Sequence, residues 1–250
     1  MIGHEFSLGP GVRAVVTDRH GGASTGAFDS LNLGAHVGDD PDAVAANRAA
    51  VAAALGVDRV AITQQVHGAS VAVVRSADDE LPPADALLTG VPGVAVAVLV
   101  ADCAPVVLWD PVARAVAVVH SGRPGAVLDV VGAAVGELIA RFGSDPARLM
   151  AGVGPCVAQA SYEVGPAEVA AVRDAFPDQP SLLAPTHDGH ACFDLAGAVL
   201  LRLAGAGVPA ANVERVADDT RTTPERWFSD RAARPCGRFA LVAVVSDAAT

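Results

Sequence analysis

Residues 93–125, GVAVAVLVADCAPVVLWDPVARAVAVVHSGRPG, constrain the fold of this chain more than any other stretch. Two apolar runs, 94–100 and 115–119, flank a third, 106–109, with a turn at Asp110-Pro111. Runs so nearly continuous in Val, Ala and Leu predict strands buried on both faces. Both long runs end on reactive residues. The first enters Asp102-Cys103, and the second enters His120 and a Gly/Pro-rich turn before a helix. Side chains placed where a buried strand gives way to a loop are held by a rigid scaffold and stay within reach of a ligand.

The rest of the chain alternates strands and helices around this stretch. A strand is expected over 13–17, followed by a Gly/Ser/Asp/Asn-rich loop too long for a plain connection and therefore functional. Phe28, Leu31 and Leu33 anchor it. A helix runs from Asp42 to Leu55, with Asp40-Pro41 at its start and Gly56 at its end. Strands are expected at 60–65, 71–75 and 86–89, with an acidic surface loop at 76–85. A single Ala/Val helix is expected over 126–142, a strand at 148–153, and helices from Gly165-Pro166 to about residue 176 and over 195–206. Strands at 212–217 and 239–245 complete the pattern. There is no internal repeat and no separating linker, so residues 1–250 form one α/β domain. With 52% hydrophobic residues and 4% aromatic ones, its core must be built from Ala, Val and Leu. Such a chain is globular throughout, apart from its last few residues.

All 17 basic residues are arginines. The absence of lysine excludes a Schiff-base lysine, a P-loop lysine and a lysine general base. Anions must be held by arginine, by backbone N–H groups or by a metal. A net charge of -11 argues against nucleic acid as a partner, while leaving room for a local arginine cluster around a small anion. The N-terminus has neither a basic region nor an apolar one of the signal-peptide kind, and the apolar runs are too short for a membrane span. Cys103, Cys156, Cys192 and Cys236 are widely spaced with no CxxC pair, which points to free thiols and a cytoplasmic protein.

Three residues share one context. His67, Cys103 and His120 each follow an apolar strand and precede a small residue or a turn. Gathered at one edge of a sheet, they make a His-Cys-His set with an open fourth position, the pattern of a catalytic zinc. A thiolate suits copper as well. The same atoms could instead form a thiol dyad, with Cys103 as nucleophile, His120 as base and a third residue orienting the histidine. Asp102 is a candidate to orient a ligand histidine. Arg19, Arg48 and Arg123 lie beside glycine turns or on the first helix and are candidate anion ligands, aided by the start of the 126–142 helix. His20 flanks Gly21-Gly22 and could line a pocket. His187 and His190 belong to the surface, and Cys156, Cys192 and Cys236 to the packing.

The segments TDRHGGASTGAFDSLNLGAHVGDDPDAVAANR, QQVHG, ADCAPVVLWDP, VAVVHSGRPG, GPCVAQASYEVG, FDL and PERWFSDR, in this order, resemble the laccase-domain or "polyphenol oxidase" family. That family is also called the purine nucleoside phosphorylase or peptidoglycan editing factor family. The resemblance spans residues 13–245. It implies mixed sheets sandwiched between helices in an α/β/β/α arrangement, with zinc on His67, Cys103 and His120, which also carry catalysis. It further implies phosphorolysis of adenosine, inosine and methylthioadenosine, with adenosine deamination alongside. The substrate-binding candidates are then Arg48, Gln65, Arg123 and Asn32, and the partners a purine nucleoside and phosphate. Two segments depart from the family pattern. HSGRPG stands where HAGWRG is usual, and Asp218-Asp219-Thr220 stands where a cysteine is usual. A multicopper laccase would need on the order of ten histidines, and this chain has seven with no His-x-His pair. Three rival functions use the same residues: a Cys-His hydrolase acting on a cell-wall precursor, copper-dependent phenol oxidation as a side activity, and non-catalytic binding of zinc or nucleotide.

Overall fold

A computed structural model describes residues 1–246; the last few residues, expected to fall outside the globular part, lie mostly beyond the described ones. In chain order the elements are β1 (Ile2–Glu5), β2 (Val12–Thr17), α1 (Pro41–Leu55), β3 (Val60–Ala61), β4 (Val71–Val73), β5 (Ala86–Thr89) and β6 (Ala95–Val100). Then come β7 (Ala104–Asp110), β8 (Ala115–Ser121), α2 (Arg123–Val127), α3 (Val130–Phe142), β9 (Met150–Val153), β10 (Glu163–Val164) and α4 (Pro166–Ala175). The chain closes with β11 (Leu183–Pro185), β12 (Ala191–Phe193), α5 (Leu195–Gly205), β13 (Val213–Arg215) and β14 (Phe239–Val245).

Two mixed sheets form the centre. The first has the order β1-β2-β14-β6-β3, antiparallel except for the β6–β3 pair. The second, β13-β9-β7-β8-β5-β4, is antiparallel in the middle and parallel at both edges. Alternation along each strand decides the layering. On β6, Val96, Val98 and Val100 face the second sheet, whereas Ala95, Ala97 and Leu99 face α1. On β8, Val116 and Val118 face the first sheet, whereas Ala115, Ala117 and Val119 meet α3 and α5. Both faces of the central strands are therefore covered, which explains their unbroken apolar character. The outcome is four layers, α/β/β/α, as the resemblance implies. A small antiparallel sheet, β10-β12-β11, flanks the helical layer.

Helix α1 follows its punctuation: the Asp40 carboxylate accepts from Asp42 N–H, and Gly56 closes the helix at φ 71°. Two expected elements are corrected. The long helix is two helices, and it starts earlier, at Arg123. It breaks at Asp129, which takes a left-handed φ of 62° and caps α3 by accepting from Gly132 N–H. Asp tolerates that conformation without advertising a break as Gly or Pro would. The strand expected at 60–65 ends at Ala61. Beyond it, the Gln65 carboxamide replaces backbone pairing by donating to Leu99 O (2.8 Å) and accepting from Leu99 N–H (2.7 Å). No helix among the described residues is long and apolar enough to cross a membrane.

A His-Cys-His centre beside an arginine-lined cavity

The site forms where the two sheets meet. Strand β6 ends at Val100 in the first sheet and β7 starts at Ala104 in the second, so residues 101–103 carry the chain across the seam. Asp102 makes this crossing tight with a φ of 80°. Cys103 emerges there, and His120 lies on the adjacent strand, opposite Pro105 in the β7–β8 register. His67 comes from the β3–β4 connection and also has a left-handed backbone, φ 58°. The ligand atoms of His67, Cys103 and His120 all lie within 4.8 Å of one another. The two imidazoles meet edge to face, with ring centroids 4.7 Å apart.

Asp85 holds this arrangement from behind. It is fully buried at the start of β5. One carboxylate oxygen accepts from His67 N–H (2.9 Å) and pairs with His120 Nδ1 (2.8 Å), and the other accepts from Gly68 N–H (2.7 Å). Holding His120 by Nδ1 leaves its Nε2 for a ligand. Burial alone would raise the Cys103 thiol, but the His120 charge and contacts from both histidines bring it down from 9.0 to about 6. Burial would lower His120, yet Cys103 and Asp85 raise it to about 9. The site therefore favours a thiolate, the form that binds metal or attacks an electrophile. Gly122 leaves the room: a Cβ there would sit 2.9 Å from the Cys103 sulfur and 3.1 Å from the His67 ring. Two imidazoles and a thiolate, with one side open, fit a tetrahedral zinc with a free fourth position. Among the described residues this is the cluster that gathers three such donors.

The open side faces a cavity of about 690 Å³. Arg48 and Gln65 line it. The structure places the other two substrate-binding candidates, Asn32 and Arg123, outside this lining. Asn32 is fully buried, and its carboxamide is saturated by Gly34, Asp39 and Arg238 N–H. Arg123 turns toward Glu168, at 3.6 Å. The helix it begins, α2, is only five residues long, and the Gly122 that precedes it packs on the cysteine. Asp102 does not orient a histidine: its carboxylate accepts from the Thr220 hydroxyl (2.6 Å) and from Arg231 N–H (2.7 Å). Arg19 holds the early loop, donating to Asp29 O and Pro224 O, and His20 is exposed beside Asp18. Cys156 is buried, and burial pushes its thiol up to about 12, in keeping with a packing role.

Sequence reading passed over several residues of the site. Asp85 closes a segment read as solvent-exposed, and its acidic neighbours masked the one clue to its burial, the apolar run Ala86–Thr89 that it abuts. Arg231, Arg234 and Arg238 line the cavity together with His36 and Tyr162. Three arginines within eight residues were a visible cluster.

Comparison with known proteins places the whole chain in one context. The profile of the multi-copper polyphenol oxidoreductase laccase family matches residues 13–246. A Streptomyces coelicolor protein named purine nucleoside phosphorylase is 44% identical over 247 residues, covering 96% of this chain and 98% of the relative. The crystal structure of a Neisseria meningitidis protein of the DUF152 family is similar with a TM-score of 0.88 at 33% identity, covering 95% of this chain and 96% of that one. YlmD from Geobacillus stearothermophilus is similar with a TM-score of 0.91 at 31% identity, over 97% and 94% of the two chains.

Proposed function

The chain belongs to the multi-copper polyphenol oxidoreductase laccase family, and from its site we propose that it is a zinc-dependent purine nucleoside phosphorylase, taking inosine, adenosine and methylthioadenosine. The observation that carries this reading is the juxtaposition of a two-histidine, one-thiolate centre with a cavity of about 690 Å³ whose wall carries Arg48, Arg231, Arg234 and Arg238. That volume suits a nucleoside, and the arginines suit phosphate. The names of the relatives point the same way.

In phosphorolysis a phosphate oxygen bonds to the sugar C1′ as the bond from C1′ to the purine nitrogen breaks, and the base leaves with the electron pair and takes up a proton. Positioning and electrostatics do most of such work. His67, Cys103 and His120 would hold the zinc. When bound, it supplies a Lewis acid facing the cavity and a site where water is acidified, the chemistry that adenosine deamination would also use. Asp85 keeps His120 in one tautomer and fixes the His67 backbone. Arg48 is partly desolvated, with Nε and one Nη on Leu33 O at 2.9 and 2.7 Å, so its remaining Nη can meet an anion. Gln65, clamped to the β6 backbone, presents a fixed polar edge to the base or sugar.

The depressed Cys103 thiol, with His120 and Asp85 in line, also favours a second reading: a cysteine hydrolase in which Cys103 attacks and His120 moves the proton. One assay separates them. Protein of known zinc content is given inosine with and without phosphate, and hypoxanthine and ribose 1-phosphate are quantified. Phosphate-dependent release of both, abolished in Cys103→Ala, is expected. Zinc-loaded protein that releases neither free base nor sugar 1-phosphate from inosine, adenosine (adenine and ribose 1-phosphate) or methylthioadenosine (adenine and methylthioribose 1-phosphate) rejects the phosphorylase, and amide hydrolysis confined to metal-free protein would establish the thiol enzyme.

A further inference from the structure

The four arginines of the cavity are not equivalent. Arg234 and Arg238 share the single Asp230 carboxylate, at 2.5 and 3.6 Å, so each already has an ion-pair partner within the protein. Arg48 has committed two of its nitrogens to Leu33 O. Arg231 differs. Among the described residues its guanidinium has neither an ion-pair partner nor a hydrogen bond, although it lines the same cavity as Cys103 and His120.

Its placement is nevertheless fixed at two points. The backbone N–H of Arg231 donates to Asp102 at 2.7 Å, which latches it to the residue preceding Cys103. The guanidinium lies over the Tyr162 ring, 4.8 Å from its centroid. Tyr162 is itself largely buried, and burial raises its hydroxyl pKa while Arg123 and Arg231 oppose the rise. Arg123 acts on that same hydroxyl and faces Glu168 at 3.6 Å. Stacking of this kind holds an arginine flat and leaves its planar fork of N–H donors free at the edge.

We propose that Arg231 is the phosphate clamp of this cavity, presenting two parallel N–H donors to the anion from a fixed seat on Tyr162 and Asp102. The identity of the anion rests on the phosphorylase reading.

The test compares wild type, Arg231→Ala and Arg231→Lys, all zinc-loaded, with thermal melts to verify folding; the side chain stands at the cavity rim, outside the core. Arg231→Ala is expected to raise the KM for phosphate by on the order of ten- to a hundredfold, with the KM for inosine and the zinc content unchanged. Arg231→Lys keeps the charge but not the fork and should recover only part of the loss. Inorganic phosphate is titrated into the same proteins by calorimetry. Wild type that binds phosphate without splitting nucleosides, with binding lost in Arg231→Ala, keeps the clamp and rejects the phosphorylase. Phosphate-dependent turnover with an unchanged phosphate KM in Arg231→Ala overturns the clamp and keeps the phosphorylase. Wild type that neither binds phosphate nor uses it overturns both.

Discussion

At the scale of single residues the site is a balance between burial and charge. In metal-free protein the Cys103 thiol ionises near pH 6, so the reactive thiolate grows as pH rises through 6 and is nearly complete by about pH 8, where an ordinary thiol near 8.5 is only beginning to ionise. Iodoacetamide labelling of the metal-free chain should therefore show a midpoint near 6 at Cys103, and a midpoint near 8.5 would refute the thiolate–imidazolium pair. Asp85 is the second sensitive position. An asparagine there must set an amide N–H₂ against backbone N–H groups of Val66, His67 or Gly68, whichever way it turns. Asp85→Asn is expected to weaken zinc affinity by on the order of 10- to 100-fold, measured by competition with a chelating dye. His67, Cys103 and His120 were legible in the sequence because each follows an apolar run. Asp85 was not, since an aspartate among acidic neighbours reads as solvated until its backbone partners are in place. Arg231 stood in a visible arginine cluster, but what sets it apart was hidden, because its latch, Asp102, is 129 residues away in the chain.

At the scale of elements, α1 does more than cover a sheet. Asn47 is buried and ties down the long early loop, accepting from Ala23 N–H and donating to Ser24 Oγ, Ser30 O and Asn32 O. The same helix sends Arg48 to Leu33 O and the cavity. Asn47→Ala would leave several of these buried groups unpaired, and we expect a loss of about 2–4 kcal/mol, read from the midpoint of urea unfolding. A loss under about 0.5 kcal/mol would show that the loop is held otherwise. The boundaries that sequence missed have local causes. Asp129 ends one helix and caps the next within an Ala/Val run that shows no breaker. Gln65 lets a side chain stand in for a strand, which no hydrophobic period encodes. The hairpin partners β10, β11 and β12 are two or three residues each, too short for any periodicity to register.

At the scale of the whole molecule, three segments that supply the donors belong to different parts of a two-sheet sandwich, and they meet only when it is assembled. A metal that binds only the folded form stabilises it by mass action, about 4 kcal/mol at a thousandfold excess over the dissociation constant. For a chain of this size the melting temperature should then fall by on the order of 10 °C when zinc is stripped from wild type, and hardly at all in Cys103→Ala, as scanning calorimetry would show. The apolar runs foretold that the central strands are covered on both sides, yet not by what; the order of the layers came from family likeness, because burial is readable from composition and the identity of the covering partner is not. The arginine wall also fixes how the cavity answers its surroundings. An arginine keeps its proton at every pH the fold survives and offers no amine for acetyl transfer. The wall built from Arg48, Arg231, Arg234 and Arg238 thus lies beyond the reach of acylation, and what can be modified in any complex it forms is the anion's side of the contact.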